Sequence, residues 1–257
     1  MVSFIVKQGY VNFLFSCKSH DCLSWKALTD LLNTLHSESY FKISSTGINF
    51  NLVDGTGSQA LEAEWKKENF ENYNCDQDIK IGMDLQMLTQ VMGRARKGDD
   101  ITFSLSEAGA NVQISSGKMY TLQLPSVGDL KERGTIKSEV KCEFEITMNQ
   151  LKEIVADVQF IDDFMKILCK NDIAIFSTDS KVHTGSTTIQ IPHNDTLIES
   201  SFSLMFLTAI ISALAKNVDK IQLGFIPNGP LRIRCNIEPL GEIRYYLAPK
   251  MKKEDEV

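Results

Sequence analysis

Nowhere does this 257-residue chain run apolar for long enough to cross a bilayer as a helix. At the start, Lys7, Gln8, Gly9 and Asn12 interrupt the apolar residues and no small-residue cleavage site follows, so the segment reads as strand rather than signal peptide. Asn194–Thr196 fits a glycosylation acceptor, but without a secretion signal the match is read as chance. The six cysteines (Cys17, Cys22, Cys75, Cys142, Cys169 and Cys235) include no C-x-x-C pair. Scattered like this in a chain of this size, they are expected to be reduced intracellular thiols. Nor do the four histidines, His20, His36, His183 and His193, share a ligand spacing with one another or with a cysteine. No metal and no cofactor is expected.

Positive charge is also short. Lys and Arg number 27 against 33 Asp and Glu, for a net −6. The molecule as a whole is therefore not drawn to nucleic acid or to anionic lipid, and any basic surface must be local. Catalytic signatures are missing too. Asp54–Ser58, "DGTGS", lacks the G-K-[ST] of a phosphate loop and reads as a turn. Asp162 and Asp163 fall between a helix and a strand, where solvated acids are usual. No Ser, Cys or Lys sits in a nucleophile motif. A non-enzyme is expected; an enzyme whose catalytic groups converge from distant positions stays open.

The chain does have ample material for a core, with 43% hydrophobic and 23% charged residues. It also says one thing twice. "LTDLLNTLHSESYFKISSTGINFNLVD" carries Leu28, Leu31, Leu32 and Leu35 at helical spacing and then alternates. "LKEIVADVQFIDDFMKILCKNDIAIFSTD" does the same with Leu151, Ile154, Val155 and Val158. The two units close on Asp54 and Asp179. Next, "MLTQVMGRARKGDDITFSL" is echoed by "FLTAIISALAKNVDKIQLGF", and "YTLQLP" by "YYLAP". Each copy predicts strand, helix, several strands, second helix, more strands. That is an α+β fold with antiparallel sheet dominant and helices on one face. The predicted divisions are 1–123, a connecting loop over 124–139, and 140–257.

Arg94, Arg96 and Lys97 cluster where a helix ends. Two readings fit them: cations complementing the helix macrodipole, or contacts to a nucleic-acid backbone, which need charge but no base-reading geometry. Lys26, Lys152 and Lys216 occupy related helical places, with Glu153 weakening the field at Lys152, and Lys80 completes the candidate set.

Taken together, "FKISSTGINFNLVD", "FENYNCDQDIKIGMDLQMLTQVM" and "IRYYLAPK" resemble the sliding clamps of the proliferating cell nuclear antigen type, from about Val11 to the end of the chain. The resemblance implies a trimeric ring with helices lining the hole and sheets outside. Such a ring holds polymerases on duplex DNA and recruits the clamp loader, flap endonuclease and ligase through short peptide motifs. It implies a nuclear protein, or a cytoplasmic one if archaeal, and no membrane partner. A docking pocket would comprise Val53, Pro230, Tyr246, Leu247, Ala248 and Pro249, with Val127 and Leu130 of the loop as its lid and Leu247 and Pro249 partly exposed. Lys170, in a turn of the second copy, matches a lysine that accepts ubiquitin in eukaryotic members.

With a ring implied, the two repeats' sheet edges are expected to meet between subunits. Val112, Ile114 and Tyr120 would face Thr187, Ile189 and Ile191 of a neighbour. A subunit of a mixed ring is the alternative within the same fold. This chain departs from the family pattern at the segment before Val11, in its short loop, and at Asn33, Gln90, Glu153, Ala156 and Ser212, helix positions that are usually basic.

Overall fold

The computed structural model describes residues 14–20, 22–106, 109–124, 139–178, 180, 182–239 and 241–251. The segment before Val11, Asp179, Val127, Leu130 and most of the 124–139 stretch lie outside them. The first half runs β1 (Phe15–Ser19), α1 (Cys22–Leu35), β2 (Glu38–Ser44), β3 (Gly47–Val53), β4 (Gln59–Lys66), β5 (Asn72–Cys75), β6 (Ile79–Asp84), α2 (Leu85–Met92), β7 (Ile101–Ser106), β8 (Gly109–Ile114) and β9 (Lys118–Leu122). The second runs β10 (Cys142–Thr147), α3 (Met148–Gln159), β11 (Phe164–Thr178), β12 (Ser186–Ser203), α4 (Leu204–Leu214), β13 (Lys220–Phe225), β14 (Leu231–Ile237) and β15 (Gly241–Leu247). The element order of the repeat is therefore the one the sequence predicts.

Local chemistry starts the helices where it should. Asp84 caps α2 by accepting the Met87 N–H at 2.8 Å, and Thr147 with Gln150 forms a capping box on α3. The buried faces follow the leucine spacing: Leu28, Leu31, Leu32 and Leu35 on α1, and Leu151, Ile154, Val155 and Val158 on α3. Neighbouring helices pack in the order α2, α1, α4, α3, one row against the sheets. Between row and sheets lie Trp25 and Trp65, edge to face with centroids 4.9 Å apart, among Phe41, Phe50 and Phe103.

Antiparallel ladders build three sheets, with strand orders β5-β1-β7-β8-β9, β10-β13-β14-β15-β4-β3-β2-β6 and β11-β12. The eight-stranded sheet is a seam between the halves. β15 pairs with β4 from Gly241 opposite Trp65 to Leu247 opposite Gln59.

The copies are not identical strand for strand. "FKI" turns back at Ile43–Ile48 into the β2–β3 hairpin, whereas its echo "MKI" runs straight on through the 15-residue β11. Gly47 explains the hairpin: it sits at φ 151°, and a Cβ there would lie 2.1 Å from the Trp65 carbonyl oxygen. The second copy has Lys170, Asn171 and Asp172 at this place and no glycine. Asn171, at φ 54°, makes a bulge with register shifts on either side instead of a reversal.

Candidate nucleic-acid interface and partner pocket

The structure gathers most of the predicted cations at one end of the helix row. Arg94, Arg96 and Lys97 are exposed in the turn after α2. The turn is held through its own amides and carbonyls, not through its cationic side chains: Asp99 Oδ2 accepts the Arg96 N–H at 2.8 Å, and the Arg96 carbonyl accepts from the Cys22 thiol at 2.9 Å. The guanidinium groups are therefore available to an anion. Sequence reasoning missed Lys118, on β9, whose ammonium donates to the Arg94 carbonyl at 2.8 Å and adds a cation to the turn. Its only sequence signal was a lone lysine after a Ser-Ser-Gly turn.

Lys152 and Lys216 are exposed on α3 and just past α4. Lys26 is different, because its ammonium is bound to Asp30 at 2.8 Å, so its charge is already matched. Lys80 stands apart from the helical cations. It lies on β6, the edge strand of the large sheet, with its ammonium 4.0 Å from the Tyr40 ring centre. "DIKIGMD" alternates as a strand, and the helix begins only at Leu85, so Lys80 is not on the helical surface.

Beside the basic turn, Lys18 reaches Glu71 at 2.6 Å and Asp100 at 3.3 Å. His20 bridges the same two acids, and His20 first, then Lys18, holds the Asp100 carboxyl below the usual carboxylate range. His20, Glu71 and Asp100 offer metal-type ligand atoms within 4.8 Å of one another. Lys18 already satisfies both carboxylates, which makes this an ion-pair cluster. All six cysteines are free, and five are buried.

At the other candidate site, register places Val53 and Tyr246 in one row across the large sheet. Val53 faces Ala60, which faces Tyr246, which faces Arg232 on β14. Ala248 N–H donates to Ser58 O at 2.8 Å and Lys250 N–H to Ser201 O at 2.7 Å, pinning the strand end between β4 and β12. Val53, Pro230, Ala248 and Pro249 are half-exposed, while Tyr246 is 5% exposed. Burial, then Glu62, pushes the Tyr246 phenol up.

Leu247 requires correction: it is 1% exposed, not partly exposed. Lying opposite Leu231 and Gln59 and two residues after Tyr245, it points to the helix side of the sheet. It is core.

The interface candidates divide in the same way. Val112 and Ile114 lie on β8, paired on both sides by β7 and β9, and both are fully buried. They are core residues, because the edge of this sheet is one strand further on. Tyr120 is on that edge strand, β9. Thr187, Ile189 and Ile191 lie on the first part of β12, which pairs with β11 on one side; Ile191 is buried in the core, so only Thr187 and Ile189 present side chains to a neighbour. Lys170 is exposed but belongs to β11, beside the Asn171 bulge, rather than to a turn.

The family model described as "Proliferating cell nuclear antigen, N-terminal domain" matches residues 14–120. That stretch is similar to the N-terminal domain of the proliferating cell nuclear antigen family of sliding clamps. It is 27% identical over 247 residues to a "DNA polymerase sliding clamp" of Cenarchaeum symbiosum (strain A), covering 92% of this chain and 98% of that one. To the protein of the same description from Nitrosopumilus maritimus (strain SCM1) it is 26% identical over 248 residues, 93% of this chain and 99% of that one. Both relatives extend across the second half as well as the first.

Proposed function

We infer that this chain is a DNA polymerase processivity factor, a clamp that encircles duplex DNA and tethers the replication machinery to it. Sliding clamps of this family are in general not enzymes, and what they contribute is topology. The observation that carries the reading is the pair of sheet edges. β15 is covered by β4 within the chain, whereas its counterpart β9 ends the five-stranded sheet with no further partner among the described residues. The counterpart of β4 is the first part of β12. Pairing β9 of one copy with that part of β12 in the next would repeat the intrachain seam between chains, and an interface that joins unlike surfaces gives a ring when its rotation closes.

Three copies form the ring on this reading, each a two-domain unit divided near 1–123 and 140–257. Helix rows would face the hole. Tyr120 would meet Thr187 and Ile189 at each junction. The strand-end site built from Val53, Pro230, Tyr246, Ala248 and Pro249 would take short aromatic-anchored peptides of polymerase, clamp loader, flap endonuclease and ligase, a helix-in-groove mode. The protein would work wherever the chromosome is replicated. Lys170, exposed beside the bulge, would be the modifiable lysine.

Solution mass together with retention on circular DNA tests this. Three times the 28.9 kDa chain, with retention on circles and loss on linearisation, is expected. A single-chain mass would favour a subunit of a mixed ring. Retention indifferent to linearisation would overturn the clamp reading.

A further inference from the structure

The helix row has two unlike ends. At one, the start of α1 meets the turn after α2, with Cys22 N–H on the Asp99 carbonyl and the Cys22 thiol on that of Arg96. The end of α4 joins them, where the Asn217 side-chain amide donates to Leu23 O at 2.7 Å. So does the start of α3, through Met148 N–H on Asp219 O at 2.8 Å. Neighbouring helices are therefore antiparallel, and Arg94, Arg96, Lys97, Lys118, Lys152 and Lys216 all belong to this one end. Its acids are Asp99, tied to the turn's own backbone and to two serines, Asp100 and Glu71, which share the single ammonium of Lys18, and Glu153, Asp219 and Glu238. Cations remain in excess.

At the other end, Leu85 N–H donates to Ser37 O at the exit of α1, and the Thr208 hydroxyl of α4 meets the Gln159 side chain at the end of α3. Residues 31–36, 84–92, 156–163 and 203–208 contain no Lys or Arg, but they do contain Asp84, Asp157, Asp162 and Asp163. Apolar groups stand out into solvent here: Phe160 at 91%, Met205 at 66% and Met87 at 47% exposed.

We propose that duplex DNA is gripped at one end of the helix layer only. Arg94, Arg96, Lys97, Lys118 and Lys216 hold backbone phosphates there, and the Phe160 end lets the duplex pass without binding it. This rests on the clamp reading above. A grip confined to one rim gives the ring two electrostatically different faces and leaves the duplex free to tilt about the basic rim. Attraction without sequence preference follows, since charge alone is offered.

A photo-crosslinking amino acid placed at Lys97, and in a second variant at Phe160, tests the proposal with a short blunt duplex at low salt. Crosslinking at position 97 about fivefold or more above that at 160 supports the one-sided grip, charge contact being the sole attraction. Equal yields overturn it and leave the clamp reading standing; no yield at either position, in a protein that is also not retained on circular DNA, removes both. As a second measurement, Arg94→Gln with Arg96→Gln and Lys97→Gln should lower the slope of log affinity against log salt by about 2–3, roughly one per phosphate released. These side chains make none of the turn's hydrogen bonds described above, so the fold is kept. An unchanged slope contradicts the proposal.

Discussion

β9 and β15 are the same strand of the repeat in two different situations. β15 has β14 on one side and β4 on the other, with its register fixed over seven residues by the seam. β9 has β8 on one side and no strand on the other among the described residues. Duplication thus yields one edge satisfied within the chain and one left open, which is what a head-to-tail ring requires of each subunit. Little on β9 discourages a second strand from pairing with it: Met119 and Tyr120 are on it, Met119 is 71% exposed, and only Lys118 carries charge.

The most severe way to break the comparison acts on the open edge. Ile189→Pro removes a backbone donor from the part of β12 assigned to the neighbour's β9, and Pro is not tolerated inside a paired strand. Complete loss of the trimer to a 28.9 kDa species is expected by light scattering. A variant that remains trimeric puts the junction elsewhere. The intrachain seam should survive, so the monomer should still melt cooperatively.

Next in size is Leu247→Ala, which attacks the closed edge. Emptying a fully buried leucine position costs about 2–5 kcal/mol, and thermal melting of the assembled protein should show it as a loss of several degrees. A change of a few tenths of a kcal/mol would return Leu247 to the surface. This substitution is therefore not a test of peptide docking, although the sequence made it look like one.

That misplacement shows what alternation can and cannot tell. Period-two patterning revealed strands, and repeated helical spacing revealed both helix pairs, because those signals are local. It did not reveal which face of "RYYL" is core, since Tyr245, Tyr246 and Leu247 are all buried and the outer face is itself packed under Arg232, Arg244 and Glu62. Val112 and Ile114 were legible as strand but not as interior strand, because sheet order is a long-range property. The straight β11 was legible in principle: the glycine that permits the β2–β3 reversal has no counterpart at Asn171. Lys118 and the Arg94 turn lie far apart in sequence, and only the fold makes them neighbours.

A smaller effect separates docking from stability at the strand end. Tyr246→Ala with Pro249→Ala removes apolar surface from the outer side of the seam and leaves Leu247 in place. Peptides with aromatic and aliphatic anchors should bind at least about tenfold more weakly, a loss of about 1.4 kcal/mol. Calorimetric titration of variant and parent measures it. Unchanged affinity in a folded trimer would remove the pocket from this site.

The smallest effect expected concerns the ion pairs that cross the seam. Arg244 reaches Glu62 on β4 at 3.8 Å and Glu242 on its own strand at 2.6 Å, and its side chain is 42% exposed. Exposed pairs are screened by salt and ordered at an entropic cost, so their net contribution is small. Arg244→Met, which keeps the aliphatic stem, should lower stability by about 0.5 kcal/mol or less at low salt. Raising the salt should shrink the difference between variant and parent further. If the variant instead lost several kcal/mol, or opened the seam to hydrogen exchange along β15 and β4, charge rather than the backbone ladder and the buried Tyr245 and Leu247 would be holding the halves together. Those two residues are covered on the helix side, and the Tyr245 hydroxyl donates to the buried Gln59 side chain across the seam. That is why the closed edge should tolerate losing its surface ions while the open edge, which has no such cover among the described residues, should not tolerate losing its strand.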